Sequence, residues 1–439
     1  MSHEMIALAM FAGMMLMLVT GQRVFAAIGF VAALAGVLLW GTGGVTIPFS
    51  AVMKLMQWYP LLTLPMFIFM GYVLSESRIA DDLYRMFHVW MGPIRGGLAI
   101  GTIGLMVLIS AMNGLSVAGM AIGATIALPE LLRRGYDKVM VTGVIQAGSS
   151  LGILVPPSVV LVVYAILAEQ NIAKLFAAAM VPGMLAAGLY VAAIALYVRL
   201  KPEHGPAQPR HSSAELLAAA KEVWPIAAIF IMVFGGIYGG FFTPTEGAAV
   251  GAGSTFLSAA ARGEMGLQAL KRSFLSTAET TGFVFMIFLG ADMLNSALAL
   301  SQMPMRIAEA VSGLEVAPVA IVACILLLYI ALSSVMDELA MIILTVPILF
   351  PLVIELDLYG LNLTEKAIWF GILILSVVEI GLIAPPVGLN VYVVNGLAPD
   401  VPMSETYKGV ALFLAADVVR VALLLAFPVL SLWLVRLIW

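Results

Sequence analysis

Gly148-Ser149-Ser150-Leu151-Gly152-Ile153-Leu154-Val155-Pro156-Pro157-Ser158 puts helix-breaking residues in the middle of a strongly apolar segment. A second copy stands far downstream: Glu379-Ile380-Gly381-Leu382-Ile383-Ala384-Pro385-Pro386-Val387-Gly388-Leu389-Asn390 again sets a Pro-Pro pair after a Gly-bearing apolar run, with a polar residue just beyond. Proline lacks a backbone donor and bars its predecessor from the α region, so each pair is expected to split a membrane helix into two halves. Backbone unwound inside a bilayer survives only where protein or a wet cavity covers it, and paired interruptions in two halves of a membrane protein point to a transport site.

Composition places those breaks in a bilayer. Of 439 residues, 62% are hydrophobic and 10% charged, against about 25% charged in a soluble domain. A mean hydropathy of +1.09 calls for many spans, each needing roughly 20 apolar residues. The net charge of −4 argues against nucleic acid as a partner. Cys324 is the single cysteine, so no disulfide forms within the chain; its apolar surroundings read as those of a buried packing thiol. Met1-Ser2-His3-Glu4 lacks the basic start of a signal peptide, so the apolar run after it reads as an uncleaved first helix.

Working outward, residues 6–20 and 24–40 form a helical hairpin, residues 47–59 carry Pro48, Lys54 and Gln57 and read as interfacial or re-entrant, and 61–74 is an apolar helix. Residues 75–90 interleave Glu76, Arg78, Asp81, Asp82 and Arg85 with Ile79, Leu83, Tyr84 and Phe87, the pattern of an amphipathic arm along the surface. Residues 97–128 are apolar but interrupted at Ser110–Ser116, which leaves arms of roughly 12 residues, too short to span alone. A hairpin turning at Asn113-Gly114 fits. The first broken helix follows over 139–168, then a span at 175–200. Residues 201–222 are the only long polar stretch and separate a first repeat, 1–200, from a second, 223–439. The second repeat has spans at 223–242, 245–260 and 281–300, a hairpin at 316–353 with the polar tip Ser333-Ser334-Val335-Met336-Asp337-Glu338, a broken helix at 367–397 and a C-terminal helix.

The order of markers recurs: Phe67-Ile68-Phe69-Met70-Gly71 is echoed by Met286-Ile287-Phe288-Leu289-Gly290 at nearly the spacing that separates the two Pro pairs. Residues 128–141, between first hairpin and first broken helix, carry Arg133, Arg134 and Lys138. The equivalent 355–367 has one lysine among Glu355, Asp357 and Glu365. By the positive-inside tendency the two links lie on opposite sides, which means inverted repeats, with the 201–222 linker cytoplasmic. The fold expected is therefore an all-α polytopic membrane protein with two re-entrant helical hairpins and two broken helices.

Half-helices that meet near the midplane leave free carbonyls, suited to a small cation, and free amides, suited to a carboxylate. One cation site is expected between Asn113, Gly114, Ser116 and the turn Gly148, Ser149, Ser150, Gly152. Its symmetric partner is expected between Ser333, Ser334, Asp337 and Gly381, Pro385, Gly388. Pro156, Pro157 and Ser158 at the restart of the first helix, with Glu379 and Asn390 around the second break, are the substrate candidates. Asp337 and Glu379 stand out as ionisable groups in apolar surroundings, with capping of a half-helix at the hairpin tip as the other reading of Asp337. Asp292, Glu246, Asp417 and Arg420 read as structural partners. Gly148-Ser149-Ser150-Leu151-Gly152 also matches Gly-x-Ser-x-Gly, but a hydrolase needs that Ser on a strand-to-helix turn with a histidine partner, and His3, His88, His204 and His211 lie at ends, surface pieces or the linker. The residues alone leave a stand-alone ion-coupled carboxylate carrier open as an alternative.

An inverted pair of hairpins, each followed by a broken helix with Gly-Ile-Leu-Val-Pro-Pro-Ser or Gly-Leu-Ile-Ala-Pro-Pro-Val-Gly-Leu-Asn, resembles the large membrane subunit of tripartite ATP-independent periplasmic (TRAP) transporters over nearly the whole chain. Val181-Pro182-Gly183, Phe242-Thr243-Pro244-Thr245-Glu246-Gly247-Ala248 and Leu344-Thr345-Val346-Pro347-Ile348-Leu349-Phe350-Pro351 add to the likeness. The resemblance implies an elevator-type transporter of the bacterial inner membrane that takes up an organic acid (a C4-dicarboxylate, sialic acid or another sugar or keto acid), with Na+ as coupling ion and no other cofactor. It also implies two partners, a small four-helix membrane subunit and a periplasmic substrate-binding protein.

Overall fold

The structure is a computed structural model that describes residues 3–113, 116–302, 306, 316–334, 336–398 and 401–439. Every regular element among these is helical. Helices α1 (His3–Val19) and α2 (Val24–Trp40) form the expected hairpin. The segment expected to be interfacial continues α2: a 3-10 stretch, Gly41–Thr46, leads into α3 (Ile47–Gln57), and Gly44 lies so close to the Gly36 backbone that a Cβ would fall 2.2 Å from its carbonyl oxygen. Then come α4 (Thr63–Ser75) and α5 (Ile79–Met91). α5 is bent away by 67° from the preceding helical segment, and buries Ile79, Leu83 and Val89 while exposing Asp81 and Arg85, as an amphipathic arm should.

The first hairpin is α6 (Gly97–Asn113) and α7 (Ser116–Arg133). Its arms exceed the expected 12 residues, since α6 runs through Ser110 to Asn113 and α7 through Pro129. At 17 residues, α6 is still only about 25 Å long. The first broken helix is α8 (Lys138–Ser150), a 3-10 turn Leu151–Ile153, the Pro pair, and α9 (Val159–Leu167). After it come α10 (Ile172–Leu200), α11 (Ser213–Tyr238), α12 (Pro244–Ala261) and α13 (Leu267–Ser301). α11 begins ten residues before the expected boundary because Ser212 and Glu215 close a capping box in front of an Ala-rich run. α13 likewise starts ahead of the apolar stretch at 281. The second hairpin is α14 (Pro318–Ser333) and α15 (Glu338–Glu355), and the second broken helix is α16 (Leu363–Ile383) and α17 (Leu389–Leu397). The C-terminal helix is two, α18 (Met403–Ala426) and α19 (Val429–Ile438), divided at Pro428. Cys324 is exposed on the outer face of α14, not buried: apolar neighbours in sequence do not settle which side of a helix meets the core when the surrounding solvent is also apolar.

Among the described residues, seven helices are long and apolar enough to cross a membrane, eight if the bent pair that ends in α5 counts as one span. The hairpin-then-broken-helix unit occurs twice, and the two broken helices run in opposite directions. The Tyr164 hydroxyl, near the end of α9, donates to the Ala367 carbonyl at the start of α16 over 2.6 Å. Leu397 and Ala398, at the end of α17, line a cavity with Leu128, Pro129 and Lys138, where the first hairpin passes into α8. α16 is buried from Lys366 to Ile383. Outside this core, α2 packs along α13 through Gly29 and Gly290, where a Cβ on Gly290 would sit 3.3 Å from the Gly29 nitrogen. Lys54 ties α3 to α13 through Asp292 at 2.6 Å. The arm α5 is clamped by charge: Arg262 pairs with Asp82 and, at 2.9 Å, with Glu264, while Arg85 meets Glu222 at 3.1 Å.

The linker is a bonded strap. The Gly96 amide donates to Gly205 O, the Gln208 amide to Gly92 O and the Asp137 amide to His204 O, so residues 204–208 tie the end of α5 to the entry of α8.

Candidate transport site

Each break meets a hairpin tip. At the second, the Gly388 amide donates to Ser334 O over 3.2 Å, and a Cβ on Gly381 would fall 1.7 Å from Ser333 Oγ, so only glycine lets tip and helix touch. Gly388 also needs its positive φ of 60° to turn the chain into α17. At the first break, Gly148 faces α6 with room for a hydrogen only, since a Cβ would lie 2.8 Å from Met106 Cβ. Gly152 is buried in the 3-10 turn. Asn113 is the last residue of α6, and Gly114 lies outside the described residues. Both Pro pairs contain a cis peptide. Pro156 and Pro157 are buried, whereas Pro385 and Pro386 are exposed.

The two halves join at Asn390. Its Nδ2 donates to Ser116 Oγ, at the first tip, over 3.2 Å and to Ser149 Oγ, at the end of α8, over 3.3 Å. All three residues are fully buried, and Asn390 Oδ1 has no hydrogen-bond partner. Beside them lies Glu338, the first residue of α15. It is 2% exposed, accepts from the Ser116 amide, and keeps Oε2 unpartnered. Sequence reasoning quoted Glu338 at the second tip but singled out its neighbour. Asp337 is the N-cap of α15, accepting from the Leu339 and Ala340 amides at 3.1 and 3.3 Å. A side chain bent back on its own helix leaves the next residue to face inward. That Asp-Glu pair at a helix start was the available signal.

Three helix N-termini, those of α7, α15 and α17, therefore open on one cluster, while α8 and α16 bring C-terminal carbonyls to the adjoining breaks. The first amides of α15 are taken by Asp337 and the Ser116 amide by Glu338, which leaves the start of α17 to attract an anion; carbonyl, amide and carboxylate oxygens suit a hard monovalent cation. Ser150 and Ser158 are committed locally. Ser150 Oγ donates to Ala147 O at 2.9 Å inside a helix, which is not a strand-to-helix elbow. Ser158 Oγ donates to Ile153 O at 2.5 Å and accepts from the Leu161 amide at 3.3 Å, so it caps α9. Glu379 is likewise turned inward: its Oε2 lies 2.5 Å from Arg420 Nη1, both fully buried. Its charge is balanced inside the protein by Arg420. Asp417 pairs with Arg420 at 3.0 Å, Asp292 with Lys54 at 2.6 Å, and Glu246 closes a capping box with Thr243.

The model of the family "Tripartite ATP-independent periplasmic transporter, DctM component" matches residues 11–430. The chain is 33% identical over 376 residues to the C4-dicarboxylate TRAP transporter large permease protein DctM of Pseudomonas aeruginosa, covering 85% of this chain and 86% of that protein. With the sialic acid TRAP transporter large permease protein SiaM of Vibrio cholerae it shares 26% over 397 residues, 90% of this chain and 91% of that one. Among solved structures, the Alcanivorax borkumensis YdaH transporter has the same fold, with a TM-score of 0.65 at 15% identity over 94% of this chain and 97% of the other. With paired hairpins, opposed broken helices and a family match across nearly its full length, this chain belongs to the DctM family, the large membrane permeases of TRAP transporters.

Proposed function

We propose that this permease takes up a small organic acid across the bacterial inner membrane, that a cation gradient, sodium first among candidates, drives the uptake, and that a periplasmic binding protein delivers the substrate to a complex completed by a small membrane subunit. One observation carries the coupling: Ser116, Ser149, Asn390 and Glu338 bring oxygens from both tips and both broken helices to a single dry point. A buried carboxylate without a cationic partner costs several kcal/mol, and a bound cation offsets that cost. The N-terminus of α17 beside it favours a carboxylate-bearing substrate, in keeping with the C4-dicarboxylate and sialic acid named for the relatives. Cation and anion thus share one cluster, each improving the electrostatics for the other.

Co-reconstitution of this chain with its small subunit and binding protein into proteoliposomes tests the reading. Uptake of a panel of organic acids should require an inward sodium gradient and the binding protein. Glu338→Gln should raise the sodium concentration for half-maximal uptake about tenfold, equivalent to ~1.4 kcal/mol of cation binding. Uptake indifferent to every monovalent cation gradient, or complete transport by the large chain alone, would reject it.

A further inference from the structure

Arg420 is a fully buried guanidinium that the transport cluster does not use. It sits on α18, yet it reaches three places. Nη1 lies 2.5 Å from Glu379 Oε2 on α16, Nη2 donates to the Ser376 carbonyl of the same helix at 3.2 Å, and Nη2 pairs with Asp417 Oδ1 at 3.0 Å. Asp417 in turn accepts from the Tyr190 hydroxyl of α10 through Oδ2 at 2.7 Å. On the other side, α16 packs against the 3-10 turn of the first break, Leu151–Ile153. One continuous chain of polar contacts therefore runs from α16 through Arg420 and Asp417 to α18 and α10. Glu379 also lies two residues before Gly381, where α16 touches Ser333 of the second tip.

Buried ion pairs are poor sources of net stability, because desolvation consumes most of the Coulomb gain; replacing them with apolar groups is often neutral or stabilising. Their best use is to specify one arrangement among several similar packings. Helices packed through glycine and small residues can slide, as α8 and α18 can where Gly143 and Gly409 meet (a Cβ on Gly143 would be 2.1 Å from Gly409 O). A planar guanidinium with directional donors removes that freedom; lysine, a point donor, does not.

We propose that Arg420 is a positioning residue for transport: through Glu379 and Ser376 it fixes the second broken helix against α18, which packs on the first broken helix where Gly409 meets Gly143, so that both tips present their oxygens to the same ion. This rests on the cation-coupled reading of the central cluster. The test compares wild type, Arg420→Lys, and the charge-free triple variant Glu379→Gln/Asp417→Asn/Arg420→Met, all in the reconstituted complex, with thermal midpoint and the cation and substrate dependence of uptake measured for each. Arg420→Lys should fold, and should raise the half-saturating cation concentration at least fivefold while changing the maximal rate less. The triple variant should recover a midpoint near wild type without recovering cation affinity. If it recovers both, the network is only structural and the proposal is overturned; unchanged cation affinity in Arg420→Lys overturns it as well. Should Arg420→Lys fail to fold, the triple variant decides alone. Loss of cation dependence in wild type itself would strike the functional reading, a different result from either of these.

Discussion

Asn390 shows how a single amide can define a centre. Its two N–H groups are spent on Ser116 and Ser149, which leaves Oδ1 as the acceptor that faces the cluster. Asn390→Asp keeps the shape but removes the donors and adds charge next to Glu338, so it should impair uptake at least tenfold; Asn390→Ala should do so less severely in stability than in cation affinity. Uptake at wild-type levels in Asn390→Asp would show that the amide does not matter. Gly381 is the corresponding steric test. A methyl group there meets Ser333 Oγ at 1.7 Å, and overpacking of this kind costs roughly 1–3 kcal/mol. Gly381→Ala should therefore lower the thermal midpoint, and the added change Ser333→Gly should restore part of it. Nothing local in Glu379-Ile380-Gly381 announces that contact, because Ser333 is 48 positions away in sequence and arrives by folding.

At the scale of elements, capping decides several roles that composition left open. Polar residues in apolar runs read as ligands or as caps, and Asp337 and Ser158 satisfy the orphan amides of α15 and α9. Asparagine caps nearly as well as aspartate. Asp337→Asn should leave stability and cation affinity close to wild type, whereas Asp337→Ala should cost about 1 kcal/mol of stability, read as a lower thermal midpoint. A large loss of cation affinity in Asp337→Asn would return the charge of Asp337 to the site. The breaks themselves were legible, since Pro-Pro leaves a helix few options. The ends of the hairpin arms and of α13 were not: prolines such as Pro129, Pro347 and Pro351 are accommodated inside helices when neighbouring helices support them.

For the whole molecule, the arm α5 and the 204–208 strap link the outer helices to the core through exposed or half-exposed polar contacts. Single surface pairs contribute little, but Arg262 joins several at once. Arg262→Ala should lower the thermal midpoint in detergent more at low than at high salt, because screening already weakens the clamp; an equal drop at both would show packing, not charge, to be responsible. The sequence by itself determined the membrane setting, the two interrupted helices, the hairpins before them and their inverted order, because hydropathy, proline chemistry and loop charge act locally and need no knowledge of neighbours. Only the tertiary structure decided which polar groups share a site. Glu338 joins Ser116 and Asn390, while Glu379 goes to Arg420 and Ser158 to its own helix end. In a dry interior each polar atom takes whichever partner packing brings within about 3 Å, and that choice is set by helices far apart in the chain.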